Sequence, residues 1–203
     1  MTPIAVVGFR AHSGWAAAVV LAGPASAPVI VDRRRIETAD RAIPGSKQPF
    51  HAAEGLPFGQ AKALIDRCTV SSRNLARAAL KALIDDIRRG GHAVIRCGIL
   101  LASGRPLPEL ERVLASHALI HAAEGELFRD VLVRAAGNHR LDITRIAERE
   151  VVARAKKTIP ISEEKWKMAL GAMGKQVGSP WRQDEKLAAT VAWLALSESN
   201  PSS

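Results

Sequence analysis

The sequence predicts an α/β domain. Its expected centre is a mixed five-stranded sheet, with three strands in an antiparallel meander and two more running parallel, flanked by helices. Three observations carry this expectation. The chain opens with three apolar runs of strand length, separated by short turns near Gly14 and at Gly23-Pro24. Two further apolar runs, at 92–103 and 140–146, alternate with long stretches of helical periodicity. The hydrophobic content of 47% is that of a folded globular protein.

Ile4 to Phe9 (IAVVGF) is short, apolar and followed by a turn, so it reads as a buried strand. Gly14 to Ala22 is the second strand, stopped by Gly23-Pro24, and Pro28 to Glu37 is the third. Short connections make these three a meander. Asp40 to Phe58 is rich in Pro, Gly and polar residues and reads as a long loop, a feature often tied to function. Gln60 to Cys68 is expected to be a short helix. A second helix follows, capped by Ser71 or Ser72, with Ala76, Leu80, Leu83 and Ile87 as its stripe and Gly90-Gly91 as its stop. His92 to Ser103 is the fourth strand, and Gly104-Arg105-Pro106 turns the chain into one long helix, Leu107 to Gly137. Arg140 to Ile146 is the fifth strand. Helices are expected over Glu148 to Lys157, from Ser162 to about Gly174, and from Asp184 onward with Leu187, Val191 and Leu194 as the stripe. One domain over 1–196 and a frayed tail over 197–203 complete the expectation.

The chain is basic, with a net charge of +9 and a pI near 10.2, which allows a polyanion such as nucleic acid as partner. Arg-rich usage alone gives the same balance. The basic clusters Arg33-Arg34-Arg35, Arg88-Arg89 and Arg149 to Lys157 can track a phosphate backbone or simply face water. There is no run of aromatic residues to stack bases, no glycine-rich phosphate loop and no nucleophile elbow. Cys68 and Cys97 form no zinc or redox pattern and read as reduced thiols, which suits a cytoplasm. No stretch has the roughly 20 apolar residues of a membrane span. Oligomeric state is not legible.

The long helix holds the sharpest chemical signal. At about 100° per residue, Leu110, Leu114, Phe128, Val131, Leu132 and Ala135 share a stripe, and His117, His121 and Glu124 lie within it. Three polar groups aimed at a core need partners, because each costs about 1–3 kcal/mol if unsatisfied. Spacing at i, i+4 and i+7 lets them converge on Zn²⁺ or Fe²⁺. The other reading is a buried polar network locking the helix to the meander. The pentapeptide His-Ala-Ala-Glu-Gly occurs twice, at 51–55 in the long loop and at 121–125 in this helix. Two copies of five residues are too few for a structural repeat. His12, in the first turn, and His51, in the long loop, are two further histidines that can join such a site or simply face water. The candidate catalytic groups are thus His12, Glu37, His117, His121 and Glu124. Arg10, Arg33, Arg35, His51, Arg129 and Asp184 are the candidates for binding a ligand or nucleic acid. A divalent metal, zinc or magnesium, is the cofactor these residues allow.

The element order resembles the ribonuclease H-like superfamily. Val7-Gly-Phe-Arg-Ala-His-Ser-Gly-Trp15 and the strand after it look like the first hairpin of that superfamily's predicted nucleases and Holliday-junction resolvases. His121 to Val152, with Arg149-Glu150-Val151, looks like the resolvase helix, strand and Arg-Glu-Val segment. Asp184 to Trp193 is similar to the family's acidic, alanine-rich last helix. The family's nucleases hold two divalent metals between carboxylates on the first strand, after the fourth strand and at the last helix, where the ions activate water and steady the leaving oxygen. Here the first-strand position is Arg10, no acid follows Ala102-Ser103 before Glu109, and only Asp184 or Glu185 matches. The resemblance therefore implies a nucleic-acid-related protein without the usual two-metal carboxylate site. Two other readings stand beside it: an enzyme or small-ligand protein using the His/Glu cluster, and an interaction protein without catalysis.

Overall fold

A computed structural model describes residues 2–102 and 106–199. Five strands form one sheet in the order β3-β2-β1-β4-β5. β1 (Ile4–His12), β2 (Trp15–Ala22) and β3 (Val29–Glu37) are the antiparallel meander. β4 (Ala93–Leu101) runs parallel to β1, and β5 (Asp142–Ala147) parallel to β4. β1 reaches His12, three residues beyond the expected end, so His12 lies on a strand with Arg10 and not in a turn. The expected strand end at Ser103 and the turn at Gly104-Arg105 lie outside the described residues.

Two helices cover one face and three the other. α1 (Pro49–Ala53) is a single turn inside the expected loop, started by a proline that loses no helical hydrogen bond there. α2 (Phe58–Arg89) is one helix of 32 residues where two were expected. The apolar row Ala61, Ile65, Cys68, Ser72, Ala76, Leu80, Leu83, Ile87 runs unbroken through the two serines. Ser71 caps nothing: its hydroxyl donates to Asp40 Oδ2 at 3.0 Å, and Ser72 is buried.

The long helix is interrupted. α3 (Leu110–Leu114) and α4 (His117–Asn138) are separated at Ala115-Ser116, where Ser116 is extended. The cause lies in packing, since Leu110 and Leu114 turn aside to join Ala53, Ala61 and Ile65 in a small satellite core. α4 keeps the stripe, burying Ile120, Ala123, Glu124, Phe128, Val131, Leu132, Ala135 and Ala136. Arg140 closes it with φ 56 and feeds β5. A short 3-10 turn at Glu148–Glu150 leads into α5 (Val151–Thr158). α6 (Glu163–Val177) starts at Ser162, whose hydroxyl accepts from the Lys165 N–H, and runs three residues past its expected end. α7 (Gln183–Ser199) is helical through the start of the expected tail.

α2 and α4 pack on the face formed by Val7, Phe9, Ala11 and Ile99, whereas α5, α6 and α7 pack on the face of Val6, Val19, Leu21 and Leu100. α7 is buried on every side from Ala188 to Leu196 and so carries more than the expected stripe. It lies flush on the sheet because two strand positions lack a side chain. A Cβ on Gly8 would sit 1.9 Å from the Ala188 carbonyl oxygen, and one on Gly98 would sit 2.4 Å from Val191 Cγ1. Alternation along β1 then puts Arg10 and His12 on the same face as Gly8, beside the first turn of α7.

Gly8→Ala should cost at least about 1–3 kcal/mol, because backbone and not a movable side chain blocks the methyl. Gly171→Ala, in α6 with nothing within 4 Å of its Cβ, should be neutral or gain up to about 1 kcal/mol. Urea unfolding of the two variants checks this, and equal effects would contradict the close approach of α7.

Candidate functional site

The ends of β1 and β2, the first turns of α4 and α7, and α1 meet at one edge of the sheet. Two depressions open there. The first is a polar cleft of about 210 Å³ lined by Arg10, His12, His51, His121, Glu124 and Arg129, among others. The second is a groove of about 300 Å³ on the meander side, lined by Trp15, Arg33, Arg34, Arg35, Arg182 and Asp184, among others. His12 and Asp184 separate them, with His12 Nε2 at 2.8 Å from Asp184 Oδ1. The His12 ring also stacks on Trp15 at 4.5 Å between centroids, and the Arg35 guanidinium lies 3.9 Å from the Trp15 ring.

Arg10 Nη2 reaches Glu148 Oε1 at 3.0 Å, and its Nε lies 3.9 Å from Asp184 Oδ1. Glu148 has no counterpart among the sequence-derived candidates, because it enters only through the turn after β5. Arg129 projects from α4 into the cleft and is largely buried, and among the described residues its ion-pair contact is a long one, to Glu126 Oε2 at 3.9 Å. Burial, and then the nearby charge of Arg10, hold its guanidinium below its ordinary pKa. The Nε groups of both Arg10 and Arg129 are buried, and neither has a hydrogen-bond partner among the described residues.

Glu124 is the buried acid of α4, at 2% exposure. Its Oε1 accepts from the Phe50 and His51 N–H groups at 2.9 and 3.2 Å, and His51 Nδ1 lies 3.2 Å from the same oxygen. Burial pushes the Glu124 carboxyl up from its ordinary range, and the bonds from His51 and Phe50 oppose that shift without cancelling it. Burial of His117 and His121 is a correction. Both are exposed, although they lie at the expected angle on the helix. They occupy the first turns of α4, at the open sheet end, where the His51 ring of α1 faces them. Their rings and that of His51 form a three-way cluster, with His117 Nε2 3.1 Å from His121 Nε2. The third imidazole of the cluster thus comes from the loop, and Glu124 stands behind it.

Other expected residues are placed elsewhere. Glu37 ends the edge strand β3, two strands from the cleft, and pairs with Arg35. Arg33 donates to the Pro180, Val177 and Ser179 carbonyls, so it holds the α6–α7 connection in place.

This sheet, with helices on both faces and its meander first, is the ribonuclease H-like fold. RuvC of Thermus thermophilus, in complex with a Holliday junction substrate, is similar over 94% of this chain and 92% of its own, with a TM-score of 0.57 and 9% identity. Another Thermus thermophilus RuvC structure is similar over 98% of this chain and 96% of its own, with a TM-score of 0.58 and 9% identity. No protein-family model matches the chain, and no curated protein matches it in sequence. At this identity the likeness is one of fold. Among the described residues, no helix is long and apolar enough to cross a membrane.

The Glu124 shift has a definite sign. A carboxyl raised in the folded state favours folding below its unfolded pKa and loses that contribution as pH rises through the folded value. Glu124→Gln should therefore gain stability relative to the native protein as pH rises from about 4 to about 7, with chelator present. Chemical unfolding at each pH checks this, and a constant or shrinking difference would contradict the burial argument.

Proposed function

We propose that this chain is a nucleic-acid-binding protein whose sheet-end cleft grips phosphate with guanidinium groups, in place of the two-metal carboxylate site of its fold relatives. The observation that carries this reading is the pairing of Arg10 with Arg129. Two cations share a polar cleft, and among the described residues each has a buried N–H without a partner and Arg129 has just a long ion pair, to Glu126. An anion between them would pair with both guanidinium groups and relieve their repulsion. The groove beyond His12, with Arg35 and Arg182, continues the basic track along which a phosphate backbone could lie.

The likeness to RuvC, one of whose structures holds a Holliday junction substrate, supports nucleic acid as the source of that phosphate. A fold by itself hosts many functions, so the weight rests on the cleft. The residues at this edge do not fit a divalent pair. Glu148 and Asp184 turn toward Arg10, and Asp184 Oδ1 also takes the His12 ring. A guanidinium in that position repels a divalent ion and uses the charge of the acids that would hold one. His12, held by Asp184, lines the same cleft.

Binding to a labelled four-way junction, a duplex and a single strand should weaken steeply as salt rises, because phosphate contacts release counterions. Arg129→Gln should weaken all three and reduce the logarithmic salt slope by about 1. Mg²⁺ should support no cleavage of any of them. Absence of binding at low salt would overturn the partner. Mg²⁺-dependent cleavage that disappears in Asp184→Asn would restore the two-metal reading.

A further inference from the structure

We infer that His51, His117 and His121 form a binding site for one divalent transition-metal ion, Zn²⁺ by preference, with Glu124 and Glu54 as the carboxylates behind two of the ligands. One ligand atom from each histidine lies within 4.8 Å of the other two. The Nε2 atoms of His117 and His121 are 3.1 Å apart, close to the roughly 3.3 Å edge of a tetrahedron with zinc–nitrogen bonds of about 2.0–2.1 Å. An N–H···N bond between these two would account for that distance alone. It would not account for the third ring, which sits edge-on to both at centroid distances of 5.5 and 4.6 Å.

The outer nitrogens strengthen the argument. His51 Nδ1 faces Glu124 Oε1 at 3.2 Å, and His117 Nδ1 faces Glu54 Oε1 at 3.7 Å. At His51 the carboxylate is within hydrogen-bond distance and fixes the proton on Nδ1, leaving Nε2 with its lone pair, the usual arrangement behind a metal-bound imidazole, whereas Glu54 adds only its nearby charge to His117. His117 turns its Nε2 toward His121, as a shared ion requires. Glu124 is rigid, since two backbone N–H groups of α1 already bond it. Buried beneath an otherwise exposed cluster, it is placed as a support and not as a ligand.

The two His-Ala-Ala-Glu-Gly copies supply most of this site. His51 and Glu54 come from the first and His121 and Glu124 from the second, and the contacts cross: the first copy's histidine meets the second copy's acid. α1 delivers one pair and the first turns of α4 the other, so the break at Ser116 that starts α4 at His117 is part of the construction. Three protein ligands leave a position for an exogenous one. His51 and His121 also line the cleft of Arg10 and Arg129, so that ligand would be water or an anionic oxygen such as a phosphate oxygen. Imidazole ligands suit zinc, whereas magnesium takes oxygen donors.

The test needs no nucleic acid, so it stands or falls apart from the phosphate reading. Protein purified without a His tag and stripped with chelator is titrated with Zn²⁺ against a chromophoric chelator, and with Co²⁺ for its tetrahedral absorption bands. One equivalent should bind, with an intense cobalt spectrum and a rise in melting temperature on zinc addition. His51→Ala and His121→Ala should lose the site. His117→Ala, at a more exposed position where folding is not at stake, should lose it too. Glu124→Gln should weaken zinc about 10–100-fold while keeping the spectrum. His92→Ala, far from the cluster, should change nothing. Protein that fails to compete with the chelator for zinc, an octahedral cobalt spectrum, or zinc affinity in His121→Ala or His117→Ala unchanged from the native protein would each overturn the site.

Discussion

The contact on which the rest depends is the seating of α7 against Gly8 and Gly98. A helix that carries Trp193 and is buried on all sides has to lie in the middle of a layer, and it comes within backbone distance of β1 and β4 only because those strands have no Cβ there. Trp193 then buries its ring and donates its indole N–H to the Ala25 carbonyl at 2.8 Å, which ties the helix to the turn after β2. That seating fixes the position of Asp184, one turn before Ala188, directly beside Arg10 and His12. The candidate site inherits its geometry from a packing constraint in the core.

Charge at the sheet edge is arranged around Arg10. Glu148 approaches from the turn after β5 and Asp184 from the start of α7, and both are answered by a single side chain of the first strand. On the other flank, Arg129 is left with a poor partner in a largely buried position. The cleft is therefore acidic and paired on one side, cationic and under-paired on the other. This is the asymmetry expected where an anion completes the structure. The histidine cluster lies beyond Arg129, held by a buried acid that its own helix cannot satisfy.

Much of this was legible in the chain, and the misses have physical causes. Strand runs and turn residues placed the meander, and alternation placed its faces. The parallel β4 followed from the crossover through α2, whose right-handed connection is the usual one. Ser71 and Ser72 misled because serine is a common cap, whereas a continuous apolar row outweighs two tolerable side chains in a helix interior. The break before His117 was hidden because Leu110 and Leu114 match the stripe of α4 by angle yet bury in another core. Glu124 was found because an acid on an apolar stripe has to be answered. His117 and His121 share that angle, but angle does not report position along the axis, and the first turns of α4 overhang the sheet. The crossing of the two His-Ala-Ala-Glu-Gly copies was invisible for the same reason: it depends on where α1 docks, which is a tertiary fact.

The central claim is that the sheet-end cleft, with Arg10 and Arg129 at its heart, is where nucleic acid is held. Hydrogen–deuterium exchange of the protein alone and with a saturating four-way junction or duplex tests it most directly. The account predicts slowed exchange over Arg10 to Trp15, over Gln48 to Glu54 and along α4 from His117 to Arg129, with the far ends of the strands unchanged. Protection confined to other basic surfaces, such as Arg88-Arg89 or Arg149 to Lys157, with the cleft segments unaltered, would contradict it.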